Sequence, residues 1–126
     1  MKFLSHHVGT GRFQISGQAA FIGNDLLMAI YGGEAPHIGA SALGLPSAVN
    51  GLASAGTLTA PGHRDDLLAR KFAIAAAKQL NCVVCVTMGI HIDQPRNDDL
   101  LWLQENAQKV FETLLIGIQA DQDKMK

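Results

Sequence analysis

The hydrophobic rhythm of the chain changes at Pro61-Gly62, and that change limits the folds open to it. Before this point apolar residues come in short alternating or continuous runs bounded by glycine, asparagine and proline, the pattern of strands and tight turns. After it, Leu68, Phe72, Ala75, Ala76 and Leu80 recur at helical spacing, which predicts a helix from His63 to Leu80 with its N-terminus at His63. The apolar run from Asn81 to Met88 then predicts a buried strand. A second helix begins near Pro95 or Arg96, because Leu100, Leu103, Ala107, Val110, Leu114 and Ile118 keep a three-four spacing. The polar tail from Asp121 to Lys126 is expected to fray.

In the first half, Phe13, Ile15, Ala19 and Phe21 alternate loosely, and Gly23-Asn24-Asp25 is a turn signal before the run Leu26 to Tyr31. This predicts a β-hairpin. Pro36 to Leu45 predicts a third strand and Ser54 to Ala60 a fourth, separated by the Gly51 loop. Strands first, then helix, strand and helix, give an α+β two-layer sandwich: a mostly antiparallel sheet of about four to five strands with two helices on one face. A length of 126 residues at 48% hydrophobic content fits one domain, 1–126, with a real core. Small apolar residues such as Ala40, Ala42, Ala53 and Ala55 would leave the other sheet face bare, so a homo-oligomer is expected to cover it.

Charge narrows the function classes. The formal net charge is -1, and Arg64, Arg70, Lys71, Lys78 and Arg96 are interleaved with acids, so no field favours nucleic acid or an anionic membrane. Met1-Lys2-Phe3-Leu4 leads directly into Ser5-His6-His7 with no apolar signal segment, and no apolar run approaches the ~20 residues a span needs. A soluble cytoplasmic protein is expected. Cys82 and Cys85 have the spacing of a redox or metal motif, but on a strand residues three apart face opposite ways. They read as two small buried hydrophobes.

Chemistry concentrates in three histidine segments: Gly32-Gly33-Glu34-Ala35-Pro36-His37-Ile38-Gly39, Pro61-Gly62-His63-Arg64-Asp65-Asp66 and Gly89-Ile90-His91-Ile92-Asp93. Each histidine sits at a helix start or where the chain leaves the sheet, so the three rings can converge on one ligand. At the predicted helix start, free backbone N–H groups and the helix dipole favour an anion beside His63, and Arg64 adds a bidentate phosphate contact. Asp65 and Asp66 complement the same dipole and need no ligand for that role. A plain reading of each histidine alone is a satisfied turn or cap residue.

These segments, together with Asp25-Leu26-Leu27, Ala69-Arg70 and the run Asn81-Cys82-Val83-Val84-Cys85-Val86-Thr87-Met88, resemble the prenylated-flavin chaperone-like family. The resemblance runs from about Asp25 to Leu114. It implies a non-catalytic accessory protein that binds prenylated FMN, or its reduced form, and assists its delivery to an apo-decarboxylase of the UbiD type acting on aromatic acids such as gallate. The matching motif positions, with the phosphate argument, make Gly33, His37, Gly39, Gly62, His63, Arg64, Asp66, His91 and Asp93 the candidate cofactor-binding residues. A flavin mononucleotide also needs a flat apolar slot, for which the small-residue strand from Ile38 to Leu45 is the candidate.

Two other readings stay open on the residues alone. In one, His37, His63 and His91 hold a divalent metal with a position left for water, and Asp65 or Asp93 serves as base in a small hydrolase or lyase. No paired His-x-His or His-x-x-x-His spacing supports it. In the other, the chain is a purely structural decarboxylase subunit whose histidines only order turns. No Gly-x-Ser-x-Gly elbow is present for a nucleophilic enzyme.

Overall fold

The computed structural model describes residues 1–47, 52–61 and 65–126. In chain order its elements are β1 (Leu4–Val8), a 3-10 turn (Gly11–Phe13), β2 (Ile15–Ile22), β3 (Asp25–Gly33), β4 (Ala40–Leu45), β5 (Ser54–Thr59), α1 (Asp66–Leu80), β6 (Val84–His91) and α2 (Asn97–Lys124). The strands form one sheet in the order β1-β2-β3-β6-β4-β5. All neighbours are antiparallel except β3 and β6, which run side by side in parallel from Leu26↔Val84 to Gly33↔His91. The α+β sandwich predicted from the sequence is therefore present, with a sixth strand.

Both helices cover the same side of the sheet, α1 over β4, β5 and β6 and α2 over β1, β2 and β3. The core between them is built from Ile15, Met28, Ile30, Val84, Val86 and Met88 of the sheet, the alanine-rich face of α1, and Val110, Phe111, Leu114 and Ile118 of α2. Phe72 of α1 stacks on Phe111 of α2 with ring centroids 4.3 Å apart and planes 9° from parallel. Burying a side chain of that size stabilises a fold by roughly 1.5–3 kcal/mol. The alanines of α1 let the helix approach closely. A Cβ on Gly44 of β4 would collide with the Ala73 carbonyl.

Several boundaries differ from those expected. Residue 81 does not begin a strand: Asn81 adopts a left-handed φ of 52° and ends α1, so β6 starts at Val84. The predicted frayed tail is helical to Lys124, because Gln122 Nε2 reaches back to donate to the Leu80 carbonyl at 2.8 Å. Strand β1 was not read from the sequence. It is held in register on β2 from Leu4↔Ala19 to Val8↔Ile15.

The outer face also differs from expectation. Ala40, Ala42 and Gly44 turn inward beneath α1, and the residues that look outward are Ser41, Leu43 and Leu45, with Leu58 of β5 exposed at 81%. The small-residue strand thus makes room for a helix on its inner face, while on the outer face Ser41, Leu43 and Leu45 join Leu58 and Cys85 in lining an open, mostly apolar depression. Cys82 is buried just before β6, Cys85 is half-buried on the outer face, and both are free thiols. None of the helices among the described residues is long and apolar enough to cross a membrane.

Candidate functional site

The parallel pairing of β3 with β6 brings their C-terminal ends together, with Gly33 opposite His91. Because β4 runs against β6 and β5 against β4, the start of β4 and the end of β5 lie at that same edge, Ala40 facing both Met88 and Thr59. The segment from Glu34 to Gly39 is pinned across it. The backbone N–H groups of Glu34 and Ala35 donate to the His91 carbonyl at 2.7 and 3.3 Å, and that of Gly39 donates to the Met88 carbonyl at 2.8 Å. Gly33 turns the chain out of β3 with a φ of +80°, which a residue with a side chain adopts only under strain. Beneath the segment, a Cβ on Gly89 would fall on the His37 carbonyl.

His37 therefore has a fixed position over the end of β6. Its Nδ1 donates to the Ala35 carbonyl at 2.9 Å, and its Nε2 faces the Asp65 carboxylate, with Oδ2 3.4 Å away. The ring meets that of His91 edge-on, centroids 6.5 Å apart at 74°. His91 Nε2 lies 3.0 Å from Asp93 Oδ1, and both side chains are exposed.

Asp65 holds the arrangement together. It occupies the N-cap position of α1 yet makes no capping hydrogen bond with its side chain. Instead Oδ1 accepts the Ile90 backbone N–H at 3.2 Å while Oδ2 faces His37. One carboxylate thus ties the start of α1, the end of β6 and the histidine segment. This requires a missing atom at residue 39, since a Cβ on Gly39 would fall on Asp65 Oδ2 and lie 3.0 Å from His37 Nε2.

A second network flanks the first. Glu34 Oε1 accepts the Asp93 backbone N–H at 2.9 Å, and Arg12 donates to the Asp93 carbonyl at 2.8 Å with its Nε 3.6 Å from Glu34 Oε1. Asp66 Oδ1 is buried without a hydrogen-bond partner among the described residues.

Of the residues singled out in the sequence, His37 and His91 are brought together, Gly33 and Gly39 shape the segment between them, and Asp66 and Asp93 lie at its margins. Gly62, His63 and Arg64 lie outside the described residues. Asp65 was read as a helix-start acid or a base, and Arg12 and Glu34 were not singled out. The three-histidine metal set does not gain support: no group of three or more His, Cys, Asp or Glu side chains among the described residues is arranged to hold a metal ion. His37 Nδ1 is committed to a carbonyl and His91 Nε2 to Asp93.

Comparison with known proteins adds two findings. The family model described as the prenylated flavin chaperone LpdD-like domain matches residues 9–119. Among solved structures, one from a chaperone complex for yeast 20S proteasome assembly is similar at a TM-score of 0.61 and 12% identity, covering 96% of this chain and 97% of that one. That likeness is one of fold. A comparison with curated proteins gives no match.

Proposed function

The chain belongs to the prenylated flavin chaperone LpdD-like family, and on that premise we propose a non-catalytic accessory protein that binds prenylated FMN and assists its delivery to a UbiD-type decarboxylase of aromatic acids. The observation that carries the reading is the convergence of the Glu34–Gly39 segment, His91 and the start of α1 at one sheet edge. The ligand the family name implies is a phosphate joined by a hydroxylated chain to a flat, apolar ring system.

The residues present suit those parts differently. His91 Nδ1, the ring nitrogen that does not face Asp93, is left to pair with a ribityl hydroxyl, while His37, engaged by Ala35 and Asp65, fixes the segment around the ligand. Asp66 Oδ1, buried and without a hydrogen-bond partner among the described residues, accepts from a hydroxyl or from the flavin imide. A phosphate dianion set only against Glu34, Asp65, Asp66 and Asp93 would be repelled, so its cations are assigned to His63 and Arg64 at the approach to α1. Ile38 and Leu67, both exposed and each within two residues of the His37–Asp65 pair, supply apolar surface for the ring. No nucleophile with an adjacent base is needed, because the ligand is carried and not converted.

The open sheet face supports a homo-oligomer. Leu43, Leu45 and Leu58 stand on a surface without charged neighbours on β4 and β5, and an apolar surface of this kind is normally covered.

The test is co-production with a flavin prenyltransferase, followed by native mass spectrometry and an absorbance spectrum. Bound prenylated flavin, transferable to an apo-decarboxylase with gain of decarboxylation, is the expected result. A chain that emerges without flavin and leaves the apo-enzyme inactive overturns the reading.

A further inference from the structure

A second feature lies beside the site and has no part in holding its ligand. Helix α2 buries Leu103, Asn106, Ala107 and Val110 in one stripe, but Leu101 and Trp102 stand off that stripe and are 57% and 60% exposed. Such positions on a surface helix are ordinarily polar. The indole is not loose: it packs on Phe13 of the 3-10 turn, centroids 6.4 Å apart and tilted by 45°. Asn106 fixes the same turn by donating to the Phe13 carbonyl at 2.9 Å. Arg12, next to Phe13, is the residue that bonds the Asp93 carbonyl. A rigid apolar platform is thereby attached directly to the His91–Asp93 margin of the site.

The helix side of the platform is acidic, and Arg12, 5.6 Å over the Phe13 ring on the other side, is engaged by Glu34 and the Asp93 carbonyl. Asp98 and Glu105 are three or four residues from both Leu101 and Trp102, the spacing of neighbours on a helix surface. We propose that this platform is the surface on which the flavin-accepting apo-enzyme docks, an inference that rests on reading the chain as a flavin carrier. An enzyme that takes up a flavin mononucleotide presents cations at the mouth of its cofactor site, because it must receive a phosphate. Acidic groups beside an aromatic anchor complement that mouth and set the carrier's site against it. A second copy of this chain would bring the same acids against themselves.

Trp102 is the single tryptophan of the chain, so 5-fluorotryptophan gives one 19F resonance that reports on the platform. Titration with a cofactor-free UbiD-type decarboxylase from the same organism should broaden or shift that resonance. Trp102→Ala and Glu105→Lys should each weaken association at least tenfold, with flavin affinity and thermal midpoint near those of the wild type. The charge reversal should flatten the salt dependence of binding. An unperturbed resonance on association, variants that bind as well as wild type, or no association at micromolar concentration overturns the proposal. Failure of the carrier reading is seen separately, as absence of flavin in the wild-type protein.

Discussion

Adding one methyl group at residue 39 tests the logic of the site. The Cβ of Gly39→Ala falls on Asp65 Oδ2, and the glycine backbone has no freedom to retreat, since its N–H donates to Met88 at 2.8 Å and its carbonyl accepts from Ala60 at 2.7 Å. The carboxylate must swing away. It then gives up the Ile90 N–H at 3.2 Å, a hydrogen bond to a charged group of the kind that contributes about 1.5–3 kcal/mol.

Taking ~2 kcal/mol, and roughly 4 °C per kcal/mol for a chain of this length, the thermal midpoint should fall by about 8 °C. Two further glycines calibrate the measurement. At Gly89 the added Cβ meets the His37 backbone carbonyl, which no side-chain rotation relieves, so Gly89→Ala should cost more than Gly39→Ala. At Gly56 nothing lies within 4 Å, so Gly56→Ala should be neutral or stabilising by about 0.4–1 kcal/mol through the unfolded chain. Urea and thermal unfolding of the three variants give the order directly. A Gly39→Ala variant as stable as Gly56→Ala refutes the placement of Asp65, and with it the architecture of the site.

Three other outcomes are expected. His63→Ala with Arg64→Ala should weaken flavin binding by about 10- to 150-fold per lost phosphate contact, against a folding cost of roughly 1 kcal/mol; flavin titration beside a thermal melt separates the two, and unchanged affinity puts the phosphate elsewhere. Leu43→Arg with Leu58→Arg, placing charge on the open sheet face, should convert a homo-oligomer to monomer by light scattering, and a wild-type monomer removes the premise. Burial first, and then the Asp25 carboxylate, push the Cys82 thiol up, against a smaller lowering from the Leu26 backbone hydrogen bond. Its proton is held more tightly in the folded state, so stability should decline as pH rises past the ordinary thiol value of about 8.5. Denaturant midpoints between pH 7 and 10 should show a shallower decline in Cys82→Ala, and identical slopes count against the assignment.

What could be read from the sequence was local. The hairpin of β2 and β3 is announced by Gly23, which adopts a φ of +60° in the turn, and by apolar runs on either side. The two helices show in their spacing. Strand β1 does not, because in Leu4-Ser5-His6-His7-Val8 a histidine occupies the middle inward position, and only pairing with β2 and contact with α2 make the segment a strand. Strand β4 misleads by size: its small residues face the core and its leucines face out, since α1 rides so close that even a Cβ at Gly44 would meet the Ala73 carbonyl.

The site divides in the same way. Glycine and proline around His37 and His91 mark chain exits, and the parallel pairing of β3 with β6 then puts both exits at one edge, a consequence of topology that no single segment contains. Asp65 is harder to foresee. Its neighbours in the chain offer it a helix dipole, and on that ground alone a capping role suffices. It is drawn away from the cap by a vacant Cβ position at Gly39 and a backbone N–H at Ile90, neither of which is near it in sequence. A carboxylate so placed acts on two partners at once. It fixes His37 from the side that Ala35 does not, and it ties the start of α1 to β6. Any change that loosens one of these contacts should therefore be felt at the other, which is why the methyl group at residue 39 is a sharper probe of this site than removal of either histidine.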